Sequence, residues 1–160
     1  MKKLFLFLVL CIVQTGFSQD NPTTYFLIRH AEKVDNSKDP DLSEAGRERA
    51  LAWRAIFSDI PFNAVYSSDF KRTRQTAAPT AEKNKTAIQI YDHKNVNIEK
   101  FKQETKGKTV LVVGHSNSIS NFVNLLIGEQ KYTEIDETIF GNLYMVTLLN
   151  GKVTHSLLKL

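Results

Sequence analysis

The sequence predicts a three-layer α/β/α fold with a mainly parallel central sheet and an antiparallel C-terminal hairpin. Three observations lead there. Short apolar segments rich in branched and aromatic residues alternate with helical patterns, as expected of parallel strands joined by crossover helices. Two of those segments, "YFLIRH" and "VLVVGH", deliver a histidine at the same point of the strand. Near the C-terminus, two strand patterns flank Asn150-Gly151, the strongest short hairpin signal.

Each element follows from its own residues. Positions 24–28, "TYFLI", read as a buried strand, and the polar "EKVDNSKDPDL" after it favours turns. Ser43 suits a helix N-cap with Glu44 in the first turn, and Ala50, Trp53 and Phe57 share one helical face. "FNAVYSS" is a second strand, and residues 70–83 form a second helix in which Pro79 predicts a kink or break. "AIQIY" is a short third strand, followed by a helix over 96–106 that stops near Gly107. "KTVLVVGHS" is the best strand pattern. Ile119, Phe122, Val123 and Leu126 then mark a helical face that Gly128 caps. "NLYMVTLL" and "KVTHSLLKL" make the hairpin.

Residues 1–18 have the features of an export signal. Lys2 and Lys3 precede an unbroken apolar run over 4–13, and Gly16 and Ser18 are the small residues before Gln19. The run is too short to span a bilayer, which takes roughly 20 apolar residues. The expectation is an exported protein, periplasmic or extracellular, working as a single domain over residues 19–160 without stable membrane association. That domain retains no cysteine, since Cys11 is the sole one, so disulfides and thiolate metal sites are excluded. Its formal charge falls from +4 to +2 when Lys2 and Lys3 are removed, too mild to point to nucleic acid. No internal repeat is present. Oligomeric state has no signature in the sequence.

In an open α/β sheet, ligands bind beyond the carboxyl ends of the strands. Parallel neighbours would bring His30 and His115 to that rim, with Arg29 at the end of the first strand and Arg72 from the helix after the second. Imidazoles and guanidiniums converging without thiolates or a carboxylate cluster suit an anion, and guanidinium forks match phosphate. The helix after His115 adds unpaired backbone N–H groups. A metal site is disfavoured, because His30 and His115 lack a third ligand at recognised spacing, whether Glu32, Asp92 or His93. His93 and His155 read as ordinary backbone-bonded histidines, His155 in the hairpin far in sequence from the site, and Arg47 and Arg49 as a solvated helix face. Glu134, Asp136 and Glu137 read as solvated charges, with shaping of selectivity at the rim as their alternative.

"LIRHAEK", "VYSSDFKRTRQTA" and "VLVVGHSNS" together resemble the histidine phosphatase superfamily, the phosphoglycerate-mutase-like fold. Ala31 replaces the usual glycine of the first motif, and Lys33 stands where a small hydroxyl residue is frequent. The resemblance implies that His30 is a nucleophile forming a covalent phosphohistidine. A backbone carbonyl would hold the proton of its other ring nitrogen. Arg29, Arg72, His115 and Ser116 would bind the phosphoryl oxygens, with Asn36 as a further contact and no metal or cofactor. The family often takes the leaving-group proton from an acid after the third strand. Asp92 is the candidate here, with capping of a turn as its alternative role.

The implied activity is a metal-independent phosphomonoesterase acting on a small phosphorylated metabolite or a cell-envelope phosphate. Two alternatives stand beside it: a phosphohistidine protein phosphatase, and a phosphate-ligand-binding module without turnover. The short span between Arg72 and Asp92 disfavours the larger, capped mutases. Substrate determinants are expected in "EKVDNSKDPDL" and "GEQKYTEIDETIFGN".

Overall fold

A computed structural model describes residues 21–160. The predicted export signal over 1–18 lies outside the described residues. Ten elements follow in chain order: β1 (Thr23–Arg29), α1 (Glu44–Ile56), β2 (Ala64–Ser67), α2 (Lys71–Lys83), β3 (Ile88–Ile90), α3 (Ile98–Glu104), β4 (Thr109–Gly114), α4 (Ser116–Ile127), β5 (Asn142–Leu149) and β6 (Lys152–Lys159). The six strands form one sheet in the order β3-β2-β4-β1-β5-β6. β1, β2, β3 and β4 run parallel, and β5 and β6 close the sheet antiparallel. Among the described residues, no helix is long and apolar enough to cross a membrane.

Strand alternation divides the core into two layers. Tyr25, Leu27, Val110 and Val112 face Phe101 of α3 and Ile119, Phe122, Val123 and Leu126 of α4. Phe26, Ile28, Leu111 and Val113 face Trp53 and Phe57 beside α1 and Ala77 and Ala81 of α2. β1 and β4 are buried on both sides, which is why their sequences are continuous apolar runs instead of alternating ones. The fold is therefore the predicted three-layer α/β/α arrangement.

Local signals fall where the sequence places them. Ser43 Oγ accepts from the Gly46 N–H at 3.0 Å and caps α1. Gly128 ends α4 with φ 71°. Asn150 and Gly151 both have positive φ, 50° and 75°, as a two-residue hairpin turn with right-handed strand twist demands. Two expectations change. α3 is shorter than 96–106, because Asn97 caps it by accepting from the Lys100 N–H at 3.0 Å. α2 is not broken at Pro79, which lies inside a continuous helix. Buried Ala77, Thr80 and Ala81 on either side of it hold that helix on the sheet, and tertiary packing overrides the local penalty.

Candidate active site

The parallel register fixes the site. Arg29 on β1 pairs with Gly114 on β4, and Ser67 on β2 with Val113. All three strands thus end at one rim, and the His30 N–H donates to the Gly114 carbonyl at 2.9 Å. The rings of His30 and His115 lie edge to face with centroids 5.5 Å apart. A polar crevice of about 340 Å³ opens above them. His30, Lys33, Phe70, Arg72, His93, His115, Ser116, Asn117, Glu134 and Glu137 border it.

His30 is buried, and its Nδ1 lies 2.7 Å from the Ala31 carbonyl oxygen. A carbonyl only accepts, so Nδ1 carries the proton and Nε2 keeps its lone pair. Burial, with Arg29 and Arg72 nearby, pushes the His30 pKa down to about 4 against the opposing Ala31 hydrogen bond. The ring is neutral at neutral pH. His115 is pushed down to about 3, first by burial and then by Arg72, His30, His93 and Arg29. Its Nε2 lies 3.0 Å from Ser68 Oγ, and its Nδ1 lies 3.3 Å from an Arg72 Nη2. Ser68 Oγ donates to Thr73 Oγ1 at 3.1 Å. Its lone pairs thus face His115, the proton falls on Nε2, and Nδ1 accepts from Arg72.

The two arginines are held differently. Arg72 stacks over the Phe70 ring at 4.5 Å. Its Nη1 is buried without a hydrogen-bond partner, with Asp39 at 3.9 Å. Arg29 is almost fully buried, and its Nη1 donates to the carbonyls of Asp136 and Ile139 at 3.0 and 3.1 Å. Its Nη2 pairs with Glu137, and its Nε is a buried donor without a partner. Buried donors are ordinarily satisfied. Orphaned guanidinium N–H groups beside a neutral imidazole are therefore the polarity an incoming anion would complete.

The loop carrying His30 is braced from two sides. The Ala31 N–H donates to Thr76 Oγ1 of α2 at 3.0 Å. Ala31 is itself fully buried against Leu42 and Ala50. Arg49 of α1 holds Glu32 in a two-pronged contact, Nε to Oε1 at 2.8 Å and Nη2 to Oε1 at 2.6 Å. Arg47 donates to the Leu42 carbonyl at 2.8 Å. These two arginines, read from sequence as a solvated face, brace the loop instead.

Five of the expected site residues converge: His30, Arg29, Arg72, His115 and Ser116. Two do not. Asn36 is exposed in the loop after β1 and does not border the crevice. Asp92 is also exposed and outside it. Its carboxylate accepts from the Lys94 N–H at 2.9 Å, the Asn95 N–H at 3.3 Å and Asn95 Nδ2 at 3.0 Å. These bonds hold its pKa below the usual carboxylate range, the Asn95 side chain contributing most. Asp92 caps a turn here, its alternative role.

His93, expected as an ordinary backbone-bonded histidine, and Glu134 and Glu137, expected as solvated charges, all border the crevice. The His93 ring lies 4.9 Å from His115. Ser116 Oγ donates to Glu137 Oε1 at 2.7 Å and lies 3.2 Å from Glu134 Oε1. The Ser116 bond, with Arg29, Lys33 and His30 near, lowers the Glu137 pKa despite partial burial. Only the run of acidic residues between α4 and β5 hinted at this in the sequence. Among the described residues, no three His, Cys, Asp or Glu side chains are arranged to hold a metal ion.

A mainly parallel α/β sheet whose strand ends present a neutral histidine among guanidinium donors is suited to handling a phosphoryl group. Residues 25–95, carrying His30 and Arg72, match the model of the histidine phosphatase superfamily (branch 1). No curated protein matches by sequence. Solved structures are similar in fold. One from Escherichia coli, assigned as an alpha-ribazole-5'-P phosphatase, has a TM-score of 0.71 at 18% identity over 88% of this chain and 97% of its own. Phosphoglycerate mutase from Bacillus anthracis has 0.69 at 18% identity over 88% and 94%. A structure from Agrobacterium tumefaciens, assigned as the phosphohistidine phosphatase SixA, has 0.59 at 22% identity over 83% and 97%. The match to the histidine phosphatase superfamily thus covers the part of the chain that carries His30 and Arg72, and the fold is like that of phosphoglycerate mutase and the phosphatases above.

Proposed function

We propose that this protein is a metal-independent phosphomonoesterase that works through a phosphohistidine on His30. Its substrate class is a small phosphorylated metabolite or an envelope phosphate, and the export-signal features of residues 1–18 favour action outside the cytoplasm. One observation carries the reading: the His30 Nδ1–H is tied to the Ala31 carbonyl, leaving Nε2 as a neutral nucleophile in a crevice edged by Arg72, His115 and Ser116.

The chemistry follows from those positions. Nε2 attacks phosphorus in line, and the P–O bond to the leaving group breaks as the N–P bond forms. The orphaned N–H of Arg72 and the rearranged donors of Arg29, His115 and Ser116 hold the equatorial oxygens. Such preorganised charge supplies most of the barrier lowering in phosphoryl transfer. Water then attacks the phosphohistidine and releases inorganic phosphate.

Residues 19–160 are expected to hydrolyse p-nitrophenyl phosphate in EDTA, and His30→Ala to lose that activity. Undiminished turnover in His30→Ala would sink the covalent mechanism. Phosphate-dependent thermal stabilisation with no turnover would instead identify a binding module. A phosphohistidine protein phosphatase is the second reading, favoured by the absence, among the described residues, of any helix or strand inserted between α2 and β3 or between α4 and β5 to cover the crevice. It predicts faster hydrolysis of phosphorylated peptide histidine than of any sugar phosphate, measured side by side.

A further inference from the structure

The crevice contains a carboxylate on the very donors expected to hold phosphate. Glu137 pairs with Arg29 and accepts from Ser116 Oγ at 2.7 Å. Glu134 Oε1 lies 3.2 Å from the same hydroxyl, so two carboxylates crowd one donor. Substrate cannot take Arg29 Nη2 and Ser116 Oγ while Glu137 keeps them.

We propose that Glu137, carried by the loop between α4 and β5, is displaced by the substrate phosphate and becomes the proton donor to the leaving group. The assignment rests on the phosphohistidine reading of His30. Geometry keeps Glu137 at the site after displacement. Arg29 Nη1 donates to the carbonyls of Asp136 and Ile139, the residue before Glu137 and one shortly after it. The loop backbone is thus bound to the floor of the site independently of the carboxylate. Loss of Arg29 and Ser116 removes what holds the Glu137 pKa down, and an adjacent phosphate dianion favours its protonated form. Its side chain is 67% exposed, so solvent can supply the proton.

The balance closes. His30 Nε2 bonds to phosphorus as the ester P–O bond breaks, and the leaving oxygen takes the Glu137 proton. The Glu137 carboxylate then accepts a proton from the water whose oxygen attacks phosphorus. The N–P bond breaks, inorganic phosphate leaves, and His30 is neutral again. Asp92 is anchored in its own turn by three hydrogen bonds and borders no part of this crevice.

The test is the leaving-group dependence of kcat/KM over aryl phosphates from p-nitrophenyl to phenyl phosphate. Wild type, Glu137→Gln, Asp92→Asn and His30→Ala are compared. General acids contribute about 10²–10⁴-fold, least for good leaving groups. Glu137→Gln is expected within about five-fold of wild type on p-nitrophenyl phosphate and about 10²-fold slower on phenyl phosphate. An equal loss on both would reduce Glu137 to a positioning residue. A gain on both would make it only a competitor for the phosphate site, and a selective loss in Asp92→Asn instead would return the role to Asp92. Each of these overturns the proposal. Activity surviving in His30→Ala would fail the phosphohistidine reading itself, whereas an inactive His30→Ala with an unselective Glu137→Gln fails only the Glu137 assignment.

Discussion

At the scale of single residues, the site works by withholding partners. His30 has its proton fixed by one carbonyl, and Arg72 keeps a buried donor unpaired. A lysine at position 72 keeps the charge but not the planar fork. Arg72→Lys is expected to lower kcat/KM by about 10²-fold, the usual cost of removing one transition-state donor, and phosphate inhibition should weaken in the same titration. His30 and Arg29 were legible in the sequence because a strand pattern ends on them. Glu137 was not, because nothing in "YTEIDETIFGN" shows that this loop folds back onto Arg29. Asp92 misled for a related reason. A residue's place after a strand is visible in the sequence, but the direction its carboxylate takes depends on Asn95 three residues on.

At the scale of elements, α1 and α2 hold the nucleophile loop in place. Gly46 sits where a Cβ would run into the backbone carbonyl of Glu32, so α1 approaches the loop closely only because this position lacks a side chain. Gly46→Ala is expected to lower stability by about 1–3 kcal/mol, the range for overpacking, and to slow turnover as the loop bearing His30 shifts. Denaturant unfolding and kcat on one preparation measure both, and an unchanged midpoint would contradict the close approach. Thr76 accepts from the Ala31 N–H and donates to the Arg72 carbonyl at 2.7 Å. Thr76→Val keeps the shape but strands a buried N–H. It should cost about 1–3 kcal/mol by the same unfolding measurement. The elements were legible because strand and helix periods differ and the caps are marked by Ser43, Gly128 and Asn150-Gly151. The bracing was not, since Thr76 and Arg49 read as ordinary helix polar residues until α1 and α2 are placed beside β1.

At the scale of the whole molecule, burial of two neutral histidines links the fold to pH. Their folded pKa values, about 4 and about 3, lie below the ordinary 6.5. The unfolded chain therefore binds more protons than the native one as pH falls below 6.5, and stability declines in that direction. At about 1.4 kcal/mol per pKa unit, acidification from pH 6.5 to 5 should remove on the order of 2–4 kcal/mol, the two histidines titrating as a coupled pair. Thermal unfolding across that window should show Tm falling, with a shallower slope in His115→Asn; a flat Tm would contradict the neutral, buried pair. The parallel sheet and its rim were legible from the alternation of elements and the two strand-ending histidines. The crevice's carboxylate side was not, because it depends on how the segment between α4 and β5 packs across β1.

The central claim is that His30 carries the phosphoryl group, and its most direct test is chemical. Rapid-quench turnover of a ³²P-labelled phosphomonoester should yield an alkali-stable, acid-labile phosphate on the peptide containing His30, lost in His30→Ala. Label on another residue, or full turnover with no covalent phosphate at any time point, would contradict it.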